Sequence, residues 1–486
     1  MNNEIRGLKP TDLWKNFAGI CNVPHPSKKE EKITEFVKNF GENLGLETLV
    51  DELGSVIIKK PATKGLEDRM IVVLQGHIDM VPQKNNDIKH DFEKDPIDTY
   101  IDGEWVTARG TTLGADNGIG CAAAMAVLES TNIEHGPIEA LFTIDEETGM
   151  TGAFGLKPGL LNGDILINMD SEDEGELYVG CAGGVNTNVE YHYTEEEVPA
   201  DVDAYEIIIT GLKGGHSGLD IQLGRGNSNK IINRIFHHST KNFGMRLAKI
   251  DGGSLRNAIP RDAMAIVTIP KTHKAEFLNY IKEITAIIKS ELSSTEPGLE
   301  IKVTETEKPS SLIDTKTQGN LIKGIYGCPN GVIRMSADMA GVVETSTNLA
   351  IVKSENGIIE LSTLQRSSVD SAKDDLANMV GSVFELAEAE VKYEGKYPGW
   401  KPNVNSPILA TMKDVYTNKF GKVPEIKVIH AGLECGIIGD VYPNMDLISF
   451  GPTIRNPHSP DEMVNIETVE KFWDFLVETL KNIPKK

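Results

Sequence analysis

Six residues able to hold a divalent cation or move a proton, His77, Asp116, Glu146, Glu147, Asp170 and His458, stand where a short apolar run ends or a helix begins. A first-row metal ion with hydrolytic work to do takes imidazole nitrogen and carboxylate oxygen ligands and keeps a position for water. Two such ions about 3.5–4 Å apart need one bridging carboxylate and roughly two further ligands each. Five of the six residues meet that need, and the remaining carboxylate is free to act as the base that takes a proton from water and passes it to the leaving amine. Glu146 and Glu147 are neighbours, and at an irregular strand end neighbouring side chains diverge, so one can bind metal while the other faces the water. Asp79 follows His77 by two residues, shares its face in an extended chain and can orient the imidazole. Asp116 sits in Leu113-Gly-Ala-Asp-Asn-Gly-Ile-Gly120, ahead of the small-residue helix Cys121 to Leu128, where glycines permit close backbone approach and a helix N-terminus favours an anion. The run is not GxGxxG, so a nucleotide loop is a poor alternative. Each residue alone has a bland reading as a turn histidine or a solvated acid; their shared placement argues for chemistry.

The elements that must position them are four apolar runs: Ile71 to Gln75, Ile138 to Ile144, Ile165 to Ile167 and Leu447 to Phe450. Runs this short, interleaved with helical patterns, read as parallel strands buried on both faces. In open α/β sheets ligands bind beyond the carboxyl ends of the strands, where these His, Asp and Glu residues fall. Near the start, Ser27 stands three residues before Glu30, the capping-box spacing, ahead of Ile33, Phe36, Val37 and Phe40 at helical intervals, so a helix is expected there. His25, in a Pro-flanked turn before it, reads as a turn residue. From about Val185 to Gly395 longer, alternating strands (Tyr205 to Thr210, Ile358 to Leu364) mix with helices (Ala275 to Ser290, Ser371 to Val391), the pattern of an inserted α+β domain. Pro- and Gly-rich Tyr393 to Pro402 reads as the return linker. The expected fold is α/β: a central, mostly parallel sheet flanked by helices, formed by residues 1–185 and 396–486, with 186–395 as the insert.

The 486 residues suit two or three compact units. Acidic residues outnumber basic ones, 72 to 49, for a net charge of −23, which argues against nucleic acid and anionic membranes as partners. Five scattered cysteines with no CxxC indicate neither a disulfide framework nor a thiolate zinc site. The start of the chain has no apolar signal core and no run is long enough to span a bilayer, so a cytoplasmic protein is expected.

The segments Gly76-His-Ile-Asp-Met-Val-Pro82, Leu113 to Gly118, Asp145-Glu-Glu-Thr-Gly149, Asn168-Met-Asp170 and Pro457-His-Ser-Pro-Asp-Glu462 together resemble the metallopeptidase family of carnosinases, aminoacylases, succinyl-diaminopimelate desuccinylases and bacterial dipeptidases. Their order and separation match along essentially the whole chain. Within that family, Thr112 to Gly120 and Gly214-Gly-His-Ser-Gly218 resemble the aminoacyl-histidine dipeptidases. The resemblance implies a zinc-exopeptidase-like fold whose insert is a lid and a route to a homodimer. It implies two divalent ions, zinc by preference with cobalt or manganese as alternatives. His77 and Asp170 would complete one site, Glu147 and His458 the other, with Asp116 bridging, Asp79 supporting His77 and Glu146 as base. It also implies a cis peptide between Asp116 and Asn117. From the lid, His216 would stabilise the oxyanion, in its own chain's site or a partner's, with Asn257 near the substrate. Arg366 would hold a free carboxylate, since its fork suits one. Glu434 could meet the substrate's ammonium group. The activity implied is hydrolysis of unblocked dipeptides, Xaa-His and β-alanyl-histidine included, by a metal-bridged water. An N-acyl amino acid amidohydrolase and a non-catalytic peptide-binding protein are the alternatives.

Overall fold

A computed structural model describes residues 2–486, which divide into two compact units: 2–180 with Trp400–Val428 and Leu433–Lys486, and Cys181–Gly399 with Ile429–Gly432.

The first unit is built on an eight-stranded sheet in the order Glu47–Val50, Val56–Lys60, Ile138–Thr143, Val72–His77, Ile165–Asn168, Asp446–Ser449, Glu176–Cys181 and Glu425–Ile429. The sheet is mixed. Its four central strands are the four apolar runs and are mutually parallel, with Leu74 level with Ala140 and Ile167, and Ile167 level with Ile448. The Glu47–Val50 and Val56–Lys60 hairpin adds antiparallel to Ile138–Thr143, and Glu176–Cys181 adds antiparallel to Asp446–Ser449. Every residue of Val72–His77, Ile138–Thr143 and Ile165–Asn168 is buried, the condition of strands covered on both faces.

Helix Ala115–Glu129, made largely of Ala, Gly and other small residues, is buried along almost its whole length. A Cβ at Gly76 would lie 2.2 Å from Asn117 Oδ1, so glycine next to His77 lets the helix start sit directly on the strand end. Gly114 caps that helix at φ 72°, a left-handed conformation that costs glycine little. A four-stranded sheet, Ile454–Arg455, Met463–Asn465, Trp105–Ala108 and Thr99–Asp102, carries the loop containing His458. The early helix spans Glu31–Asn43, but the expected capping box is absent: the Ser27 hydroxyl donates to Asp79 instead, at 2.7 Å.

The second unit is an antiparallel sheet in the order Glu300–Thr306, Val202–Thr210, Ala263–Pro270, Arg246–Gly252, Val343–Glu355, Ile358–Ser367, Gly183–His192 and Glu390–Tyr397, with Gly331–Met335 beside Val343–Glu355. Helices Ser228–Phe243, Lys274–Glu291, Thr315–Gly327 and Asp370–Leu386 bury Phe236, Ile284, Ile325 and Phe384 against Ile207, Val267 and Leu361. The last helix stops at Leu386, short of the expected Val391. Glu388 then takes φ 59° and the chain enters edge strand Glu390–Tyr397, so half of the expected linker is sheet. Alternating polar residues on an edge strand hide this pairing from a reading of composition alone.

Candidate metal centre

The acidic and imidazole side chains of the cluster come from several elements of the first unit, with Glu146 and Glu147 sharing the short helix Glu146–Gly149. His77 ends the central strand Val72–His77 and is 1 % exposed. Its Nε2 lies 3.2 Å from Asp116 Oδ1 and 3.2 Å from Asp170 Oδ1. Asp116 stands at the start of helix Ala115–Glu129 with non-helical backbone angles, and the peptide joining it to Asn117 is cis. Its second oxygen, Oδ2, is 3.1 Å from His458 Nε2, and that nitrogen is also 3.0 Å from Glu147 Oε2. One carboxylate thus stands between two imidazoles, each of which faces a further carboxylate of its own.

Behind these, Asp79 Oδ1 accepts the backbone N–H of Glu146 at 3.0 Å, and Oδ2 accepts the Ser27 hydroxyl at 2.7 Å. Glu146 has a carboxylate oxygen close to both His77 and Glu147, all three ligand atoms lying within 4.8 Å of one another. The Cys121 thiol donates to the His77 carbonyl at 3.0 Å. Glu434 is wholly buried and accepts from Gln75 at 2.6 Å and Thr143 at 2.7 Å.

Charge in this cluster is out of balance, with six carboxylates, Asp79, Asp116, Glu146, Glu147, Asp170 and Glu434, around two imidazoles. The His458 imidazole is pushed up to about 11 by its hydrogen bonds to Asp116 and Glu147. Burial pushes Asp170 up to about 8 and drives Glu146 well above the usual carboxylate range. Burial pulls His77 down, but Asp170, Asp116 and Asp79 more than reverse it. Burial would raise Asp116, but hydrogen bonds from His458 and His77 hold it low.

The donor set fits a pair of divalent cations. An imidazole nitrogen has one proton or one lone pair and cannot satisfy two carboxylates, whereas a cation among the three donors satisfies all of them. His77, Asp116 and Asp170 form one such triad and Asp116, Glu147 and His458 another, each with ligand atoms within 4.8 Å of one another. Buried Glu147 Oε1 and Asp170 Oδ1 accept no hydrogen bond, the latter despite its closeness to His77. Nitrogen and carboxylate donors without thiolate suit zinc, cobalt or manganese.

Residues 73–482 match the model of peptidase family M20/M25/M40. The chain belongs to this family. It is a metallopeptidase with the family's α/β fold. Over 484 residues, the whole of both chains, it is 46% identical to the cytosol non-specific dipeptidase of Escherichia coli (strain K12). The crystal structure of aminoacylhistidine dipeptidase from Vibrio alginolyticus matches it with a TM-score of 0.95 at 49% identity, covering 100% of this chain and 99% of that one. Aminopeptidase PepT from Bacillus cereus shares the fold, with a TM-score of 0.62 and 16% identity over 98% of this chain and 99% of that one.

His216, Asn257 and Arg366 lie in the second unit. Arg366 donates from Nη1 to the Tyr397 hydroxyl at 2.9 Å and from Nε to Ser217 Oγ at 3.3 Å, and its Nη2 is 3.5 Å from His216 Nε2. The Asn257 carbonyl accepts the Ser217 N–H at 2.8 Å, which ties the His216 turn to the Asn257 loop. Burial, with Arg366 beside it, lowers His216 to about 4 and keeps it neutral near pH 7.

Two residues of this machinery were not visible as such in the sequence. Ser27 has the spacing of a helix cap yet serves Asp79, and Glu462, within the Pro457 to Glu462 segment, gathers backbone amides of the Asp116 loop. Backbone partners leave no trace in residue types, so only the acidic pair Asp461-Glu462, shortly after His458, could have drawn attention to it.

Proposed function

We propose that the chain is a cytoplasmic dipeptidase that hydrolyses unblocked dipeptides, Xaa-His and β-alanyl-histidine among them, with two zinc ions held by His77, Asp116, Glu147, Asp170 and His458. The observation that carries the reading is the division of the Asp116 carboxylate, one oxygen toward His77 and the other toward His458. Bound there, two divalent ions would supply Lewis acidity, polarising the scissile carbonyl and lowering the pKa of water.

The chain's own residues do the rest. The Asp79 main-chain carbonyl accepts the Nδ1–H of His77, with the Asp79 carboxylate 3.4 Å from the same nitrogen, which leaves Nε2 with its lone pair toward Asp116 and Asp170. By accepting the Glu146 N–H, the same carboxylate also sets where Glu146 stands. Glu146 takes the proton of the attacking water and returns it to the leaving amine, work for a carboxyl group whose proton affinity burial has raised. The substrate's carboxylate is assigned to Arg366, whose planar fork suits bidentate pairing. Neutral His216 is assigned to the oxyanion, with Asn257 beside the substrate.

The relatives named for dipeptide and aminoacylhistidine hydrolysis support a free amino terminus over an acyl cap. Among the described residues no helix is long and apolar enough to cross a membrane. A homodimer through the second unit is part of the proposal, testable by light scattering. Steady-state assays on β-alanyl-histidine, other dipeptides and an N-acetyl amino acid, with the protein loaded with zinc, test the reading. Preference for the N-acetyl compound would replace it with an amidohydrolase.

A further inference from the structure

We propose that Glu462 is a positioning residue of the metal centre: by gathering four consecutive backbone N–H groups, Leu113 to Asp116, its carboxylate fixes the bridging Asp116 relative to His458. The inference rests on Asp116 and His458 being ligands, as proposed above.

Glu462 is 2 % exposed, and both of its carboxylate oxygens are used. Oε2 accepts from Leu113 at 2.8 Å and Gly114 at 3.0 Å, and Oε1 accepts from Ala115 at 2.8 Å and Asp116 at 3.3 Å. The N–H groups entering a helix have no partner within it, and a side-chain cap ordinarily satisfies one or two of them. Here a single carboxylate from the far end of the chain takes the whole turn, and this turn carries the aspartate shared by the two imidazoles.

The other end of Glu462 is equally tied. Its N–H donates to the Ser459 carbonyl at 3.0 Å, closing the turn after His458, and its carbonyl accepts the Thr107 hydroxyl at 2.7 Å. Met463, the next residue, starts the strand that pairs with Trp105–Ala108. His458 stands four residues before Glu462 and holds φ 59°. The turn that presents His458 and the turn that presents Asp116 are therefore joined twice, once through Glu462 and once through His458 Nε2 to Asp116 Oδ2 at 3.1 Å.

A carboxylate is the side chain that suits this place, because it offers only acceptors. Glutamine has the same shape but puts an NH2 against two of the four amides, so the loop must shift while the fold around it keeps its packing. Aspartate keeps the charge and loses reach.

The test uses full-length protein stripped of metal: wild type, Glu462→Gln and Glu462→Asp. Circular dichroism and melting of the metal-free proteins come first, then titration with Co²⁺ against a competing chelator, the cobalt d–d absorption spectrum, and kcat and KM of the cobalt-saturated enzymes. The expected result is a folded Glu462→Gln with Co²⁺ affinity about 10–100-fold weaker, an altered d–d spectrum, and a fall in kcat larger than any change in KM. Glu462→Asp should recover part of each. Wild-type affinity and spectrum in Glu462→Gln would overturn the inference while leaving the metal assignment intact. Failure of both metal-free variants to fold would also overturn it, showing a structural role only. A wild type that does not take two equivalents of Co²⁺ would sink the proposed function itself, and this inference with it.

Discussion

His77 Nδ1 lies 3.1 Å from the main-chain oxygen of Asp79 and 3.4 Å from its Oδ1, so the ring's proton is spoken for on the side away from the other carboxylates. The burial of both residues makes this pairing strong, since neither can exchange its partner for water. Asp79→Asn removes the charge that favours this tautomer and puts an NH2 among groups that donate to it. Its metal affinity is expected to fall about 10–100-fold, read by titration of the metal-free protein. Wild-type affinity in that variant would remove Asp79 from the assignment.

Glu146 is distinguished from its neighbour Glu147 by what each faces. Glu147 Oε2 points at His458 Nε2, at 3.0 Å, while Glu146 sits with burial, Asp170, Glu434 and Glu147 all raising its proton affinity, opposed by His77. Glu146→Gln preserves shape and cannot take up a proton. It should keep both metal equivalents, by elemental analysis, and lose about 10²–10⁴-fold in kcat. Turnover near wild type would assign the base elsewhere.

Asp116 and His458 should differ in how much metal they hold. His458 belongs to one triad, so His458→Ala is expected to lose about one equivalent, whereas Asp116→Ala, which removes the carboxylate common to both triads, should lose both. Dialysis of wild type against a chelator should abolish hydrolysis, and zinc, cobalt or manganese should restore it. Two full equivalents retained in His458→Ala would break the ligand map.

What could be read from residue types was whatever depends on apolar continuity. The runs at Val72, Ile138, Ile165 and Leu447 are short and largely apolar, as strands buried on both faces are, and the candidate ligands follow at or just beyond their ends, where the chain leaves the sheet. What could not be read depends on which of several partners a polar group chooses. Ser27 and Glu30 have capping-box spacing, yet Asp79 takes the hydroxyl and the Lys28 N–H takes Glu30. Glu462 works through amides that every residue carries. The end of helix Asp370–Leu386 was hidden because Glu390–Tyr397 gains its stability from pairing with Gly183–His192, a long-range contact with no local signature.

Acid should destabilise the second unit through His430. This histidine is buried there, its Nε2 2.7 Å from Ser346 Oγ, and burial, with Arg366 and His216 nearby, lowers it to about 3. An imidazole in the unfolded chain titrates near 6.5. Above that pH both states are neutral and the group leaves stability unchanged. As pH falls from about 6.5 toward 3 the unfolded chain takes up a proton that the folded one refuses, so stability drops by up to about 1.4 kcal/mol per pH unit. His430→Gln has no such proton to bind and can keep a hydrogen bond to Ser346. Melting curves between pH 7 and pH 4, with metal present at each pH, should show the wild type losing its advantage over His430→Gln, or falling further behind it, as the pH drops. Parallel pH dependence in the two proteins would mean that His430 is protonated in the folded state, and that the space around it is wetter than its burial indicates.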